Sequence, residues 1–465
     1  MKQAISAPSF WRKPSFQRNE TAPQKKSKIA ALDGVRAIAA LLVVTLHINT
    51  IAGLPWNANA NPIATAFAVF GRNGVVLFFV LSGFLLFMPY AKALLFQEEW
   101  PSIRKFYLRR IFRIWPGYYL TLFLMILLFE QKYLQPAYWK RLGLFLTFFM
   151  DSSQETWQQI NGPFWTLATE WQFYLVLPIL ALAFAWIVRR FASTPYQRLK
   201  MILFCCAGVI IWGLLIRGFG LNYQRHPDWD IPLPHPVLNI FLFFAFGIQG
   251  KYLEVFSLGM IASTLYMFTQ HPEYGQQLKN RLHNWSNRLW IFGWLVIIFI
   301  ALWHAEATQD RNATPDFTAL SIFHPLRSFF AWVGEPIVGF GFGLCILAIL
   351  FGSVQLRWLF ETRLLRWLGM LSFAIYMWHH KLILYLHSYL LLLWPQINNL
   401  QEILAFWTFF ILFILPLCYL IYKLIEEPGI RLGQRITSRN FASWGLRNLK
   451  LSLSPRALLA RLHRS

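Results

Sequence analysis

Long apolar runs separated by short polar segments recur along the whole chain, and they constrain its fold more than any other feature. A transmembrane helix needs about 20 consecutive, mainly apolar residues. The runs that approach or exceed this length cover 37–54, 70–92, 108–129, 164–188, 201–217, 236–251, 289–304, 327–353, 368–394 and 402–425. The pattern predicts an all-α integral membrane protein with about ten transmembrane helices in one bundle. Two shorter stretches, near 140–151 and 252–268, are predicted to be interfacial or re-entrant.

The composition agrees with this class of protein. Hydrophobic residues make up 57% of the chain and charged residues only 14%, against about 25% charged residues in soluble domains. The formal net charge is +23. In a membrane protein, excess Lys and Arg usually lie in cytoplasmic loops, against anionic lipid. We therefore expect membrane lipids, and no nucleic acid, as the partners of this charge.

The positions of the basic clusters predict the orientation. With ten spans, one side of the membrane receives both tails and the clusters at 104–113, 189–200, 279–288 and 357–366. Counting either doubtful stretch as a span would place later clusters outside, against the positive-inside bias. We expect a multi-pass protein of the inner (plasma) membrane with both termini cytoplasmic. The predicted domains are a basic tail (1–31), a transmembrane domain (32–430) and a second basic tail (431–465).

The four cysteines all lie in apolar runs, at positions 205, 206, 345 and 418. No pair has the spacing of a metal site. We expect free thiols, no metal and no bound cofactor.

The first span, LDGVRAIAALLVVTLH, carries two polar residues, Arg36 and His47. Eleven residues apart on a helix, their side chains point along nearly the same face, about 16 Å apart along the axis. A polar group inside a membrane helix is costly unless it has a partner or a function. His47 is thus a candidate catalytic residue, and the alternative is a histidine bonded to a neighbouring helix for packing alone.

The third span begins with FYLRRIFRIWPGYYL, which places Arg109, Arg110 and Arg113 at its cytoplasmic end. Arginine side chains three and four residues apart share a helix face, and their guanidinium groups suit phosphates. With Arg36, they could hold a cytoplasmic phosphate-bearing donor. Ordinary positive-inside anchoring is the alternative.

Three further motifs carry polar side chains within apolar runs. Glu170, in GPFWTLATEWQFYLVLP, could orient or charge His47, or receive an acceptor hydroxyl; pairing with a cation for structure is the alternative. In LGMLSFAIYMWHHKLI, the residues Ser372, Tyr376 and His379 recur on one helical face and suggest a cavity lining. Glu426 lies where the last span leaves the membrane. Ser82 and Gly83, in FFVLSGFLLFMPY, would let another helix or a ligand approach closely, and we favour helix packing.

These motifs together resemble the acyltransferase 3 family of polytopic membrane acyltransferases. The matching segments are LDGVRAIAALLVVTLH, FFVLSGFLL, RRIFRIWPGYY, GPFWTLATEWQFYLVLP, FAFGIQGKYLE, LGMLSFAIYMWHH and IEEP, in the family's order over nearly all of 32–430. The family commonly has a proline two residues after the Tyr-x-x-His histidine, where this chain has Lys381.

The resemblance implies an O-acyltransferase, usually an acetyltransferase, that takes acyl groups from cytoplasmic acyl-coenzyme A. The acceptor would be a hydroxyl of an envelope or secreted carbohydrate, or of a lipid-linked glycan. By position, His47 would be the general base or acyl relay and Arg36 would position the donor, with Arg110 and Arg113 on its phosphates. The family's serine and glutamate region falls on Thr166 and Glu170, and its terminal carboxylate on Glu426.

Other functions remain open at this stage. Within the enzyme class, the acceptor could be a small molecule or a lipid instead of a carbohydrate. From other classes, a transporter or flippase, or a non-catalytic scaffold of polysaccharide assembly, would also place polar groups inside a bundle. No inverted hydropathy repeat, a common mark of transporters, is evident.

Overall fold

The computed structural model describes residues 30–53, 70–226, 229, 231–307, 322–323 and 325–438. Both basic tails, apart from residues 30, 31 and 431–438, and the loops near 55–69 and 308–321, which were predicted to face outward, lie outside these ranges. Within them, the regular structure is helical, as predicted. The helices, labelled in chain order, are α1 (Ala31–Ile51), α2 (Asn73–Phe96), α3 (Ile103–Leu128), α4 (Trp139–Leu146), α5 (Phe164–Phe191), α6 (Pro195–Arg225), α7 (His235–Ala245), α8 (Leu253–Thr269), α9 (Gln276–Ala307), α10 (Arg327–Phe351), α11 (Val354–Trp358), α12 (Arg363–Leu393) and α13 (Asn399–Ser438).

Eight of these helices are long and apolar enough to cross a membrane: α1, α2, α3, α5, α6, α9, α10 and α13. Helix α12 also has the necessary length, at 31 residues, but His379, His380 and Lys381 lie in its middle. The number of ten spans and the orientation of the bundle stay predictions. Helix α13 continues to Ser438, beyond the predicted domain boundary at residue 430.

The region 236–268 differs from the sequence-based interpretation. We expected the span at 236–251, but α7 has only 11 residues, and the longer helix is α8, with 17 residues that are mostly buried. Gly247, Gly250 and Tyr252 have positive φ values of 67°, 95° and 56°, which a continuous helix does not allow. The two helices and the bend between them therefore form one interrupted element. The other doubtful stretch, near 140–151, contains only the eight-residue α4 and turns.

Glycines allow the helices that carry the polar motifs to pack closely. Gly83 of α2 lies against the backbone of Phe256, and Gly259 of α8 lies against the backbone of Val80. Gly369 of α12 lies in the same way against the backbone of Asp33 in α1. Small residues are the usual contact surface between membrane helices, and the packing role expected for Gly83 is confirmed. The contact at Gly369 sets α1 beside α12, and so brings the first span's motif to the Ser-Tyr-His face of α12.

Candidate functional site

A cavity of about 530 Å³ lies between α1, α2, α3, α5 and α12. Most of its wall is apolar. Its polar lining residues are Asp33, Arg36, Ser82, Arg110, Arg113, Thr166, Glu170, Tyr174, Ser372 and Tyr376. Polar residues from five separate sequence motifs thus meet around one space, which the spacing within each motif could not establish.

The cavity's guanidinium groups come from α1 and α3. Arg36 donates to the carboxylate of Asp33 across 3.3 Å, and Arg110 lies over the ring of Tyr174, 5.9 Å from its centroid. The buried Nε atom of Arg110 has no hydrogen-bond partner among the described residues. With Arg113, three cations face the two carboxylates of Asp33 and Glu170. The cavity is therefore net positive and retains donor capacity for an anion.

Arg109 does not belong to this cavity wall. Its Nε donates to the hydroxyl of Thr437 in α13, at 3.2 Å. Consecutive helix residues point about 100° apart, so Arg110 faces the cavity while Arg109 faces α13. Of the three arginines predicted to hold the phosphates of a donor, Arg110 and Arg113 thus line the cavity. Arg109 instead connects α3 to α13.

Glu170 lies on the arginine side of the cavity. Its carboxylate accepts a hydrogen bond from Ser82, at 2.5 Å, and a short one from Tyr174. No hydrogen bond joins it to His47 in the described part of the chain. The sequence had suggested that Glu170 could orient His47, and the structure instead brings it near Arg36 and Arg110. Sequence reasoning assigned no role to Tyr174 and favoured packing for Ser82.

His47 is paired with His379 across the contact between α1 and α12. His47 Nδ1 and His379 Nε2 are 2.8 Å apart, and His379 Nδ1 is 2.7 Å from the backbone carbonyl of Ile375. A carbonyl only accepts, so His379 Nδ1 carries the proton and donates it. His379 Nε2 then accepts from His47 Nδ1–H, because a neutral imidazole has one donor and one acceptor nitrogen. His47 Nε2 therefore keeps a lone pair that has no hydrogen-bond partner among the described residues.

His380 and the segment before α5 complete the surroundings of His47. The His380 ring lies edge-on to the His47 ring, with centroids 4.4 Å apart. Gly162 faces the His380 ring so closely that an added Cβ would be 2.8 Å from its Cε1 atom. Asn161 donates to the carbonyl of Met377, at 2.7 Å. The segment before α5 is therefore held against α12 beside the two histidines, a contact between distant segments that the sequence did not reveal.

The cavity ends below this histidine pair. Thr166 Oγ1 donates to the Tyr376 hydroxyl, at 2.7 Å, and Phe78 packs edge-on against the Tyr376 ring, 5.8 Å between centroids. We call these three residues the roof. His47 is not among the residues that line the cavity, whereas the Tyr376 ring is 6.0 Å from that of His379. The arginines and His47 thus lie on opposite sides of the roof.

Glu426 lies behind the cavity wall. It belongs to a π-helical turn, Tyr422–Glu426, within α13, and π turns are frequent at functional positions. Its Cγ lies against Gly117 of α3, its Oε1 is buried without a hydrogen-bond partner among the described residues, and it attracts the Arg113 charge. The structure places it beside a cavity arginine without exposing it to the cavity.

A second group of buried charges escaped the sequence analysis. The buried Arg217 binds Glu254, at 2.8 Å, and Glu335, and the exposed Arg72 binds Glu335, at 3.1 Å. Tyr252 also donates to Glu335, at 3.2 Å. These groups surround the interrupted α7–α8 element, and buried charges are tolerated there because they are paired. Single charges within apolar runs were the available sequence signal, but their partners are distant in sequence.

Comparison with known proteins identifies the class of the chain. Residues 29–423 match the family model described as an acyltransferase domain. The chain therefore belongs to the acyltransferase 3 family, and the membership and enzyme class predicted from its motifs are confirmed.

Among individual proteins, the chain is 29% identical over 195 residues to the putative peptidoglycan O-acetyltransferase YrhL of Bacillus subtilis, covering 38% of the chain and 27% of the relative. It is 24% identical over 220 residues to the peptidoglycan O-acetyltransferase OatA of Listeria monocytogenes, covering 44% of the chain and 32% of the relative. The matched region thus spans about a third or less of each relative. No solved structure matches the chain.

Proposed function

We propose that this protein is a membrane O-acyltransferase, acting as an O-acetyltransferase, that moves an acyl group from cytoplasmic acyl-coenzyme A to a hydroxyl of an envelope carbohydrate. The family membership and the names of the two relatives support the reaction class. The observation that carries the proposal is the placement of a net-positive cavity and a histidine with a free Nε2 at opposite ends of one helix, α1. The membrane would be the inner, or plasma, membrane.

The length of the donor fits this placement. Thirteen bonds separate the phosphate from the sulfur in the pantetheine arm of coenzyme A. At the rise per bond of an extended chain, this arm spans about 15 Å. Arg36 and His47 are separated by a helical rise of about 16 Å. Phosphates held by Arg36, Arg110 and Arg113 would therefore let the thioester reach the roof beside Tyr376 and, when the roof opens, His47.

The reaction needs a base for the acceptor hydroxyl, a thioester carbonyl within reach of that hydroxyl, and a site without water. His47 Nε2 takes the proton of the acceptor hydroxyl while the hydroxyl oxygen attacks the thioester carbonyl. The C–S bond then breaks, the acyl group stays on the acceptor oxygen, and the coenzyme A sulfur leaves with the proton returned by His47. His379 keeps His47 in the required tautomer. The buried surroundings exclude water, which would otherwise hydrolyse the thioester.

The position of His47 suits an acceptor on the outer side. It is four residues before Ile51, the last residue of α1, so it lies about 6 Å from the end of the helix. In the predicted orientation this is the outer end. One domain could then receive the donor from the cytoplasm and present the acyl group outside.

The test is coenzyme A release by the purified protein in nanodiscs with acetyl-coenzyme A, with and without an envelope glycan extract. We expect glycan-stimulated release from the wild type and loss of at least about 100-fold in His47→Ala, since a general base contributes that much or more. His235→Ala is the matched control, because His235 is exposed at the start of α7. Wild-type rates in His47→Ala would refute the role of His47, and no release from folded wild type would favour a transporter or scaffold.

A further inference from the structure

Two tryptophans lie side by side on the outer segment that reaches the histidines. The rings of Trp157 and Trp165 have centroids 5.0 Å apart and a tilt of 38°. Both tryptophan side chains are partly exposed. The two residues that follow Trp157, Gln158 and Gln159, are exposed. We call these four residues the outer shelf. It combines a partly exposed aromatic pair, whose Trp165 ring also packs against Tyr252, with side-chain amides that donate and accept hydrogen bonds.

The outer shelf is connected directly to the surroundings of His47. Asn161 and Gly162, which contact α12 and His380, lie in the five residues between Gln159 and Trp165. The His380 ring packs in turn against the ring of His47. One side chain, that of His380, therefore lies between this segment and the proposed base. The shelf residues are two to four positions along the chain from the residues that contact α12 and His380.

Buried polar contacts hold this segment in place before any ligand arrives. Lys251 binds Asp151 and Ser152, each at 2.7 Å, and Gln172 donates to Asp151 at 2.8 Å. These contacts attach the beginning of the segment to α5 and to the bend before α8. A rigid surface loses little entropy on binding, which favours affinity.

The backbone between the two tryptophans is strained. Gln158 and Ile160 have φ values of 55° and 61°. A left-handed conformation is uncommon for any residue with a side chain and an outlier for a β-branched one such as isoleucine. Such strain is concentrated at binding and active sites. Here it turns the chain sharply between the shelf and the contact with α12.

We propose that the outer shelf is the acceptor subsite and binds a glycan, with the C–H face of a pyranose ring on Trp157 and Trp165 and the amides of Gln158 and Gln159 on its hydroxyl groups. This inference rests on the proposed function, because it names the acceptor side of the same site. It also predicts glycan binding without any donor, which can be measured separately.

Anchoring at the membrane interface is the competing explanation, because tryptophans are common there. Trp139, in the same outer region, provides the matched control. Its side chain is 61% exposed, and its Nε1 donates to the carbonyl of Leu134. An anchoring role would make Trp157 and Trp139 equivalent, whereas a subsite distinguishes them. Trp157 carries this comparison, because Trp165 also packs against Tyr252, with ring centroids 5.8 Å apart.

Binding is measured by calorimetry on full-length protein in nanodiscs with chitotetraose and with a muramidase digest of peptidoglycan, in the absence of donor. We expect the wild type to bind at least one of them, Trp157→Ala and Trp165→Ala to bind it at least about tenfold more weakly, and Trp139→Ala to bind it as the wild type does. Trp157→Phe, which keeps an aromatic ring, should retain most of the affinity. It also keeps the test valid if the alanine variants fold poorly.

Measuring the KM values of the Trp157 variants separates this inference from the proposed function. We expect Trp157→Phe and Trp157→Ala to raise the KM for the acceptor progressively without changing the KM for acetyl-coenzyme A. Glycan binding that depends on Trp157, in a protein without transferase activity, would support the shelf and reject the proposed function. No glycan binding by the wild type, or equal effects of the Trp157 and Trp139 substitutions, would overturn the shelf.

Discussion

His47 Nδ1 lies 2.8 Å from His379 Nε2, and the backbone carbonyl of Ile375 fixes which of these nitrogens carries the proton. The pair joins the first span to α12, 332 residues apart in sequence. The alternative of a histidine bonded to a neighbouring helix is therefore correct as a contact. It does not exclude catalysis, because the same contact directs the unprotonated Nε2 of His47 away from its partner.

The first prediction concerns the acceptor atom of His379. His379→Leu removes the acceptor, so the tautomer of His47 is no longer fixed. We expect kcat to fall by about 100-fold, the lower end of the contribution of a positioned base, with both KM values unchanged. His379→Gln can place an amide oxygen near the position of Nε2 and should recover most of the rate. Equal losses in the two variants would show that His379 acts only through packing.

The second prediction concerns donor binding. Hydrogen bonds to charged groups contribute about 1.5–3 kcal/mol, so Arg36→Ala and Arg113→Ala should each weaken acetyl-coenzyme A binding by roughly 10- to 100-fold, measured by calorimetry. Lysine at either position should recover only part of the affinity, because it lacks the planar fork. Arg109→Ala is the matched control, since Arg109 contacts Thr437 outside the cavity. A loss in Arg109→Ala equal to that in Arg113→Ala would contradict this division.

The third prediction uses the contact between Gly162 and His380. In Gly162→Ala the new Cβ would be 2.8 Å from His380 Cε1, so the His380 ring, which packs against that of His47, would have to move. A displacement of about 1 Å at a reacting group can reduce the rate about 100-fold, so we expect a loss of that order. Gly143→Ala adds the same methyl group where no other atom of the described residues lies within 4 Å, and it should keep the wild-type rate. Thermal unfolding of both variants would show whether the loss is a folding defect.

The sequence predicted the helical membrane class and the family because long apolar runs and motif order are local properties of the chain. It also predicted that Ser372, Tyr376 and His379 share a face that lines a cavity. Ser372 and Tyr376 do line it, whereas His379 is not among the lining residues and is bonded to His47 instead. It did not predict that Glu170 would bind Ser82 and Tyr174, or that Gly162 would lie on His380. These contacts depend on how helices far apart in sequence cross, and helical spacing carries no information about that.

The interrupted α7–α8 element shows a second kind of limit. Hydropathy marked one span at 236–251, whereas the structure breaks the helix at Gly247 and Gly250 and continues it as α8. The two glycines were visible in the sequence, but a glycine inside an apolar run is equally compatible with close helix packing. The alternatives are a bend and close helix packing, and the partners of Arg217 and Lys251 decide between them. Their buried ion pairs can stabilise a bend between α7 and α8.

The last prediction concerns Lys381, which replaces the proline common in the family. Helix α12 continues through this position, and Lys381 Nζ binds Glu130 at 2.7 Å. Burial raises the pKa of the Glu130 carboxyl, but hydrogen bonds and charge from Lys381 and Lys132 outweigh burial and hold this pKa below its usual value. A lowered carboxyl pKa stabilises the folded state above the unfolded pKa of about 4.3, and this contribution is lost as the pH falls through the folded value.

We therefore expect Lys381→Met to lower the thermal midpoint at pH 7 by an amount equivalent to about 1 kcal/mol or less, the usual contribution of a partly exposed ion pair. The difference from the wild type should shrink below about pH 4, where Glu130 becomes protonated in both proteins. Lys132→Met should have a smaller effect, because its side chain is 44% exposed. A difference that persists to pH 3 would mean that Lys381 stabilises α12 through its contact with the Phe129 ring and not through the charge of Glu130.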